Sequence, residues 1–139
     1  RKQLMDVMWE KVGIIRDEKN LKEGIIKITN LEQNINNIGM DDKNLEFNIT
    51  WHDWLNLRSL VDISKVIAKA SLERTDSRGA HFRKENPESG PLEESKFTVA
   101  QIIEGDLKVT ERPVDFSIVK PGQSLLKNDE PTSMIEVAE

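Results

Sequence analysis

Arg74, Ser77, Arg78, His81 and Arg83 crowd into one short run of the chain, with Gly79 among them. A guanidinium presents paired N–H donors that match a carboxylate, and an imidazole can hand over a proton near neutral pH. By residue type alone, this cluster suits a dicarboxylate. The same donors serve equally well against backbone carbonyls, with Gly79 letting the chain turn sharply. The rest of the chemical inventory is thin. His52 adjoins Asp53, but no second His or Cys lies at ligand spacing, so it reads as a surface residue rather than a metal ligand. Trp9, Trp51 and Trp54 offer stacking faces, yet their helical spacing favours core or interdomain packing. No cysteine is present, which excludes disulfides, thiolate metal sites and thiol catalysis. The carboxylates form no isolated pair in an apolar setting, so acid–base chemistry is not indicated. No Gly-rich turn follows a strand, so a dinucleotide pyrophosphate has no cradle.

The 139 residues suit one domain with a real core. Charged residues make up 32% and hydrophobic ones 37%, unevenly spread. Apolar periodicity fills the first part of the chain, whereas Ser, Pro, Glu, Asn and Lys crowd two later stretches, which predicts a looser second part. The net charge of −5 is dispersed and no basic block occurs, so nucleic acid is not an expected partner. No apolar run is long enough to span a bilayer, so direct membrane insertion is not expected either. The chain opens on Arg1 within a helical pattern, as an excised domain would.

Three helices are predicted to position the cluster. Met5, Met8, Val12 and Ile15 lie on one face of the first, widened by Leu4 and Trp9. Asp17 is the expected N-cap of the second, with Glu18 favouring the positive end of its dipole. Leu21, Ile25, Ile28, Leu31, Ile35 and Ile38 form its stripe and Gly39 its stop. Gly24, inside that helix, marks either simple tolerance or the close approach of a neighbour. A polar connection (Met40 to Ile49, including Asp41, Asp42, Lys43 and Asn44) leads to Thr50, the expected N-cap of a third helix over about 51–74. That helix carries two stripes: Leu60, Ile63, Ile67 and Ala70, and Trp54, Leu57, Val61, Ala68 and Leu72. Two bundle neighbours, or an absent partner domain, would account for such width. The expected core is Met8, Val12, Ile28, Leu31, Ile35, Ile63 and Ile67.

Beyond Pro87 and the loop residues Glu88 to Pro91, a β-hairpin is predicted. Phe97, Val99, Ile102 and Ile103 lie before a Glu104-Gly105-Asp106 turn, and Leu107, Val109, Val114, Phe116 and Ile118 after it. Pro113 should interrupt the second strand or hold it at an edge. A lone hairpin is marginal in water and must lean on the bundle or on other protein. The fold class is thus mainly α: an antiparallel three-helix bundle, spectrin-repeat-like, then a hairpin and a loose tail. The expected organisation is a bundle with its Arg-rich loop at 1–87, a loop and hairpin extension at 88–120, and a flexible tail at 121–139.

Arg74 to Pro87, with its Asp76-Ser77-Arg78-Gly79-Ala80-His81 centre, Arg83 and Glu85, resembles a signature of the flavoprotein subunits of succinate dehydrogenase and fumarate reductase. Met8-Trp9-Glu10-Lys11-Val12-Gly13-Ile14-Ile15-Arg16-Asp17 resembles the opening of the C-terminal helical domain in the same family. Val66 to Leu72 resembles its third helix, and Lys108-Val109-Thr110 with Arg112-Pro113-Val114 its late strand. The resemblance runs over about residues 1–120 in the family's order. Asp76 stands where glutamate is commoner, and the stretch after Pro87 lacks a tryptophan that many relatives carry. L-aspartate oxidase shares the Ser-Arg-Gly-x-His loop, but Arg83 and the Arg-Pro-Val element favour the succinate/fumarate side.

The resemblance implies a non-catalytic structural or assembly domain, with catalytic, cofactor and metal residues elsewhere. It makes Arg74, Ser77, Arg78, Gly79, His81 and Arg83 a structural, interdomain loop. It implies FAD in the parent protein and none in this stretch, and a parent that interconverts succinate and fumarate. The implied partners are the flavin and capping domains of the same chain and an iron–sulfur subunit. The implied location is the cytoplasmic face of the inner membrane, reached through partner subunits. The alternatives are a freestanding helical interaction module and the equivalent domain of L-aspartate oxidase.

Overall fold

A computed structural model describes residues 1–38, 44 and 46–124. Three helices and two small two-stranded sheets make up the described architecture. α1 (Lys2–Val12) buries Leu4, Val7 and Val12 and stops at Gly13. The buried face is rotated from the one expected: Met8 is half-buried, while Met5, Trp9 and Ile15 are exposed. Ile15 belongs instead to a short strand, β1 (Ile15–Arg16), and so cannot extend the helical stripe.

α2 (Glu18–Asn37) begins where expected. The Asp17 carboxylate accepts the Asn20 backbone N–H at 2.7 Å, giving one of the first-turn donors a partner. Leu21, Gly24, Ile28 and Ile35 are buried. A Cβ at Gly24 would lie 3.1 Å from the Lys11 Cβ and 3.2 Å from a Val12 methyl, so this glycine marks close approach of α1. Ile38 follows the helix, and Gly39, expected as its stop, lies outside the described residues, as do residues 40–43 and 45 of the polar connection.

α3 (Ile49–Glu73) starts two residues before the expected boundary. Its cap is Asn48, whose side-chain oxygen accepts from the Trp51 N–H at 2.8 Å; Thr50 is a first-turn residue instead. The larger correction concerns its core face. Val61, Ser64, Ala68 and Ser71 are buried, with Trp54, Leu57 and Leu72 packed partly against the core. Leu60, Ile63 and Ile67 are 40%, 58% and 41% exposed. Both α1 and α2 contact α3. The small side chains of Ser64, Ala68 and Ser71 permit close approach there, leaving the bulkier stripe unpartnered among the described residues. Leu31, also expected in the core, is half-buried. Lys11 pairs with Glu23 at 2.7 Å and Lys65 with Glu32 at 2.5 Å, marking which parts of the helices are neighbours.

β2 (Phe82–Arg83) pairs parallel with β1, Ile15 opposite Phe82 and Arg16 opposite Arg83. This miniature sheet was not expected, and it brings the α1–α2 junction to the Arg-rich loop. A 3-10 turn at Leu92–Glu94 precedes β3 (Lys96–Ile103) and β4 (Asp106–Pro113), which form the expected antiparallel hairpin. Glu104 and Gly105 both have positive φ, the requirement of a tight two-residue hairpin turn that follows the strands' twist. Pro113 ends β4 rather than interrupting it, so Val114, Phe116 and Ile118 lie outside the ladder. The hairpin leans on α3, where the Lys69 ammonium reaches the Leu107 carbonyl at 3.5 Å. Of the expected tail, residues 125–139 lie outside the described residues. No helix among the described residues is long and apolar enough to cross a membrane.

Candidate functional site

The Arg-rich loop begins where α3 runs out of hydrogen-bond partners for its last carbonyls. Arg83, 4% exposed, fills that gap. Its Nη1 donates to the carbonyls of Ser71 at 3.0 Å, Leu72 at 3.3 Å and Arg74 at 3.4 Å. A buried cation is thereby matched to the negative end of the helix dipole. Its Nε faces Glu85 at 3.3 Å. Ser77, equally buried, holds the loop's backbone: its hydroxyl accepts the Arg83 N–H at 2.8 Å and donates to the Asn86 carbonyl. Asn86 in turn donates from its side-chain amide to the Thr75 carbonyl at 3.0 Å.

Between these anchors the chain reverses. Arg78 and His81 exchange backbone hydrogen bonds at 2.8 and 3.1 Å. Gly79 takes the first central position of the turn at φ 58°, a conformation that costs other L-residues strain. The Arg78 side chain points the other way, toward the segment before the hairpin. It donates to Ser95 Oγ at 2.7 Å, the Gly90 carbonyl at 2.9 Å and the Pro91 carbonyl at 3.2 Å. Arg74 and Arg78 flank Asp76, at 2.9 and 3.4 Å. Burial alone would raise the Asp76 carboxyl; the hydrogen bond and charge of Arg74, then the charge of Arg78, carry it below its ordinary range.

His81 and Arg16 connect the loop to the α1–α2 junction. Arg16 Nε donates to the Val12 carbonyl at 3.2 Å, at the end of α1, and its Nη1 lies 2.6 Å from His81 Nδ1. His81 Nε2 lies 3.0 Å from the Arg74 carbonyl. A carbonyl only accepts, so Nε2 carries the proton and Nδ1 receives the Arg16 donor. Glu85 accepts the Glu18 backbone N–H at 2.6 Å, at the start of α2, and Lys84 pairs with Asp17 at 3.1 Å. Two arginines therefore close the C-terminal ends of two helices, and a carboxylate from the loop helps cap a third helix end.

Each expected site residue thus has a defined place. Arg74, Ser77, Arg78, His81 and Arg83 converge on one loop and bond within the chain, the buried Nε atoms of Arg74 and Arg78 lying beside Asp76 as ion pairs without a hydrogen bond, and Gly79 forms its turn. Glu85 and Asn86 lie within the signature stretch but carry no expected role there, and Arg16 joins the cluster from outside it. Arg16 is distant in sequence, and only the β1–β2 pairing brings it close. His52 and Asp53 are exposed on α3, away from this network. Among the described residues, no group of three or more His, Cys, Asp or Glu side chains is disposed to hold a metal ion.

Residues 1–126 match the family described as "Fumarate reductase flavoprotein C-term", and the chain belongs to that family. The fumarate reductase flavoprotein subunit of Haemophilus influenzae is 29% identical over 124 residues, covering 88% of this chain and 21% of that protein. An uncharacterized FAD-dependent oxidoreductase of Methanocaldococcus jannaschii is 37% identical over 86 residues, covering 62% of this chain and 15% of its own length. L-aspartate oxidase of Yersinia pestis is 35% identical over 81 residues, covering 58% and 14%. Among solved structures, a mutant of E. coli quinol fumarate reductase superposes with a TM-score of 0.77. It shares 22% identity over 87% of this chain and 21% of that one, a likeness of fold. The chain thus spans about a fifth or less of the length of these relatives.

Proposed function

We propose that this chain is the C-terminal, non-catalytic structural and assembly domain of an FAD-dependent succinate dehydrogenase or fumarate reductase flavoprotein. The observation that carries the reading is the use made of the Arg-rich loop. Arg83 is buried on the terminal carbonyls of α3, and Arg78 is directed at Gly90, Pro91 and Ser95. Such groups hold elements together and leave no engaged fork free to grip a substrate. In the parent, FAD would exchange hydride with succinate or fumarate, and electrons would pass to an iron–sulfur subunit. The flavin and capping domains of the same chain would meet the exposed Leu60, Ile63 and Ile67 face of α3. The loop 74–83 would then brace that boundary from within, at the cytoplasmic face of the inner membrane through partner subunits.

The same reading takes residues 1–87 as a mainly α, antiparallel bundle, 88–120 as its extension and 121–139 as a tail. Support comes from the Lys11–Glu23 and Lys65–Glu32 pairs, which join the end of α1 to the start of α2 and late α2 to mid α3. A second reading, the corresponding domain of L-aspartate oxidase, is favoured by the 35% identity to the Yersinia pestis enzyme. The succinate/fumarate reading is preferred because the Haemophilus influenzae match covers 88% of the chain and so extends over the hairpin.

Calorimetric titration of the chain with FAD, and separately with fumarate, tests the non-catalytic assignment. No saturable heat is expected, because a dinucleotide needs a Gly-rich strand–helix turn to receive its pyrophosphate. Binding of FAD at about micromolar affinity would overturn it. Assay of the parent with succinate and with L-aspartate separates the two enzyme readings.

A further inference from the structure

We propose that His81 is a proton-operated latch: neutral, it ties the α1–α2 junction to the Arg-rich loop through Arg16, and protonated, it lets that tie go. The two ring nitrogens have opposite partners. Nε2 faces the Arg74 carbonyl at 3.0 Å and must donate to it. Nδ1 faces the Arg16 guanidinium at 2.6 Å and must accept from it. A second proton has only Nδ1 to occupy, where it would set one N–H against another and place two cations in contact. The Arg16 bond cannot survive that change.

The surroundings offer the imidazolium no relief. Arg16 contacts it from β1, and the charges of Arg74 after α3 and Arg83 on β2 also oppose a positive ring. The carboxylates of the region are directed elsewhere. Asp76 pairs with Arg74 and Arg78, Glu85 accepts from Glu18 and faces Arg83, and Asp17 caps α2 and pairs with Lys84. Burial, followed by the opposing charges of the three arginines, holds the His81 affinity for a proton below that of a free imidazole, against the pull of the Arg74 carbonyl. The unfolded chain therefore takes up the proton more readily. The stabilising effect of neutral His81 is whole above the ordinary value of 6.5 and is lost as pH falls below it toward the lowered folded-state value.

What opens is local. β1 and β2 share two residue pairs, joined by Phe82 N–H to the Ile14 carbonyl at 3.4 Å and Lys84 N–H to the Arg16 carbonyl at 2.9 Å, while Glu85 on the Glu18 N–H and Lys84 on Asp17 tie the loop to the start of α2. The Arg83 cap on α3 involves neither ring nitrogen, so the end of α3 keeps its partner. Acidification is thus expected to free residues 14–16 from 81–84 while the helices stay packed, a small segment of low local stability within a stable frame. The latch follows from the geometry alone and does not depend on the chemistry of any parent protein.

Exchange of the imidazole C2 hydrogen, read by mass spectrometry on the His81 peptide across about pH 8 to about pH 4, gives the titration of this one ring. It is measured in the folded chain and in the same chain unfolded in urea. Backbone amide exchange of Phe82 and Lys84, corrected for its intrinsic pH dependence, is followed in parallel, with Leu21 and Ile28 as helix controls. His81 should titrate at lower pH in the folded chain than in urea, and at higher pH in Arg16→Gln than in wild type. Protection of Phe82 and Lys84 should vanish through that titration while the controls stay protected. Titration at or above the unfolded value, or loss of all four amides together, would overturn the proposal.

Discussion

At the scale of single residues, Arg83 carries the heaviest structural duty. Its guanidinium meets three carbonyls at the end of α3 from a position 4% exposed. Truncation would remove that donor from the Ser71 and Leu72 carbonyls and leave Glu85 without its cationic partner. Arg83→Ala is expected to destabilise the chain by about 3 kcal/mol, measured by urea denaturation. Arg83→Lys should recover only part of that loss, because one ammonium cannot span the fork's positions. Asp17 provides a pH-dependent counterpart. The Asn20 backbone N–H, then its side-chain amide and Lys84, hold this carboxyl at about 2, below its ordinary 3.8. A depressed carboxyl stabilises the fold fully above the unfolded value, and the effect fades as pH falls through the folded one. The acid limb of the wild-type stability curve between those values should therefore be steeper than that of Asp17→Asn, as paired denaturation series would show.

At the scale of elements, α1 and α2 meet at Gly24, and this contact sets their separation. A methyl there would sit against Lys11 and Val12 at 3.1–3.2 Å, so Gly24→Ala trades better helix propensity against crowding. Gly24→Val adds bulk that the neighbour cannot accommodate and should cost about 1–3 kcal/mol, read from the shift in denaturation midpoint at unchanged slope. The sequence announced the glycine without revealing which of its two meanings applied, because the distance between helices is not a local property. Asp17 was legible as a cap since its carboxylate acts on its own next turn. Asn48 and Thr50 are both good caps, and only the chain's entry into α3 selects Asn48. The stripe of Leu60, Ile63 and Ile67 is exposed rather than in the core for a similar reason. Periodicity shows that two faces of α3 are apolar, but small Ser64, Ala68 and Ser71 decide which face the neighbours approach. The β1–β2 pairing has too few residues to leave any periodic signal.

At the scale of the whole molecule, the Arg-rich signature pointed to the family from residue identities alone, while its internal wiring did not show in the sequence. Nothing local in the chain says that Arg78 reaches Ser95 or that Arg16 reaches His81; both follow from how the helices deliver the loop. The exposed face of α3 belongs to this scale too. Ile63→Ser should change the stability of the isolated chain by no more than about 0.5 kcal/mol, since the side chain is already 58% exposed. The same change in the parent flavoprotein should lower the yield of correctly assembled protein, as size-exclusion chromatography would report.

In the proposed function the Arg-rich loop builds and braces the domain and takes no part in the chemical step. Arg78→Ala in the parent flavoprotein tests it most directly, with turnover of succinate or fumarate normalised to bound flavin in assembled enzyme. A lower yield of assembled protein is expected, with turnover per flavin within about twofold of wild type. A loss of about a hundredfold or more in turnover per flavin, with assembly and flavin content intact, would contradict it and move Arg78 into the active site.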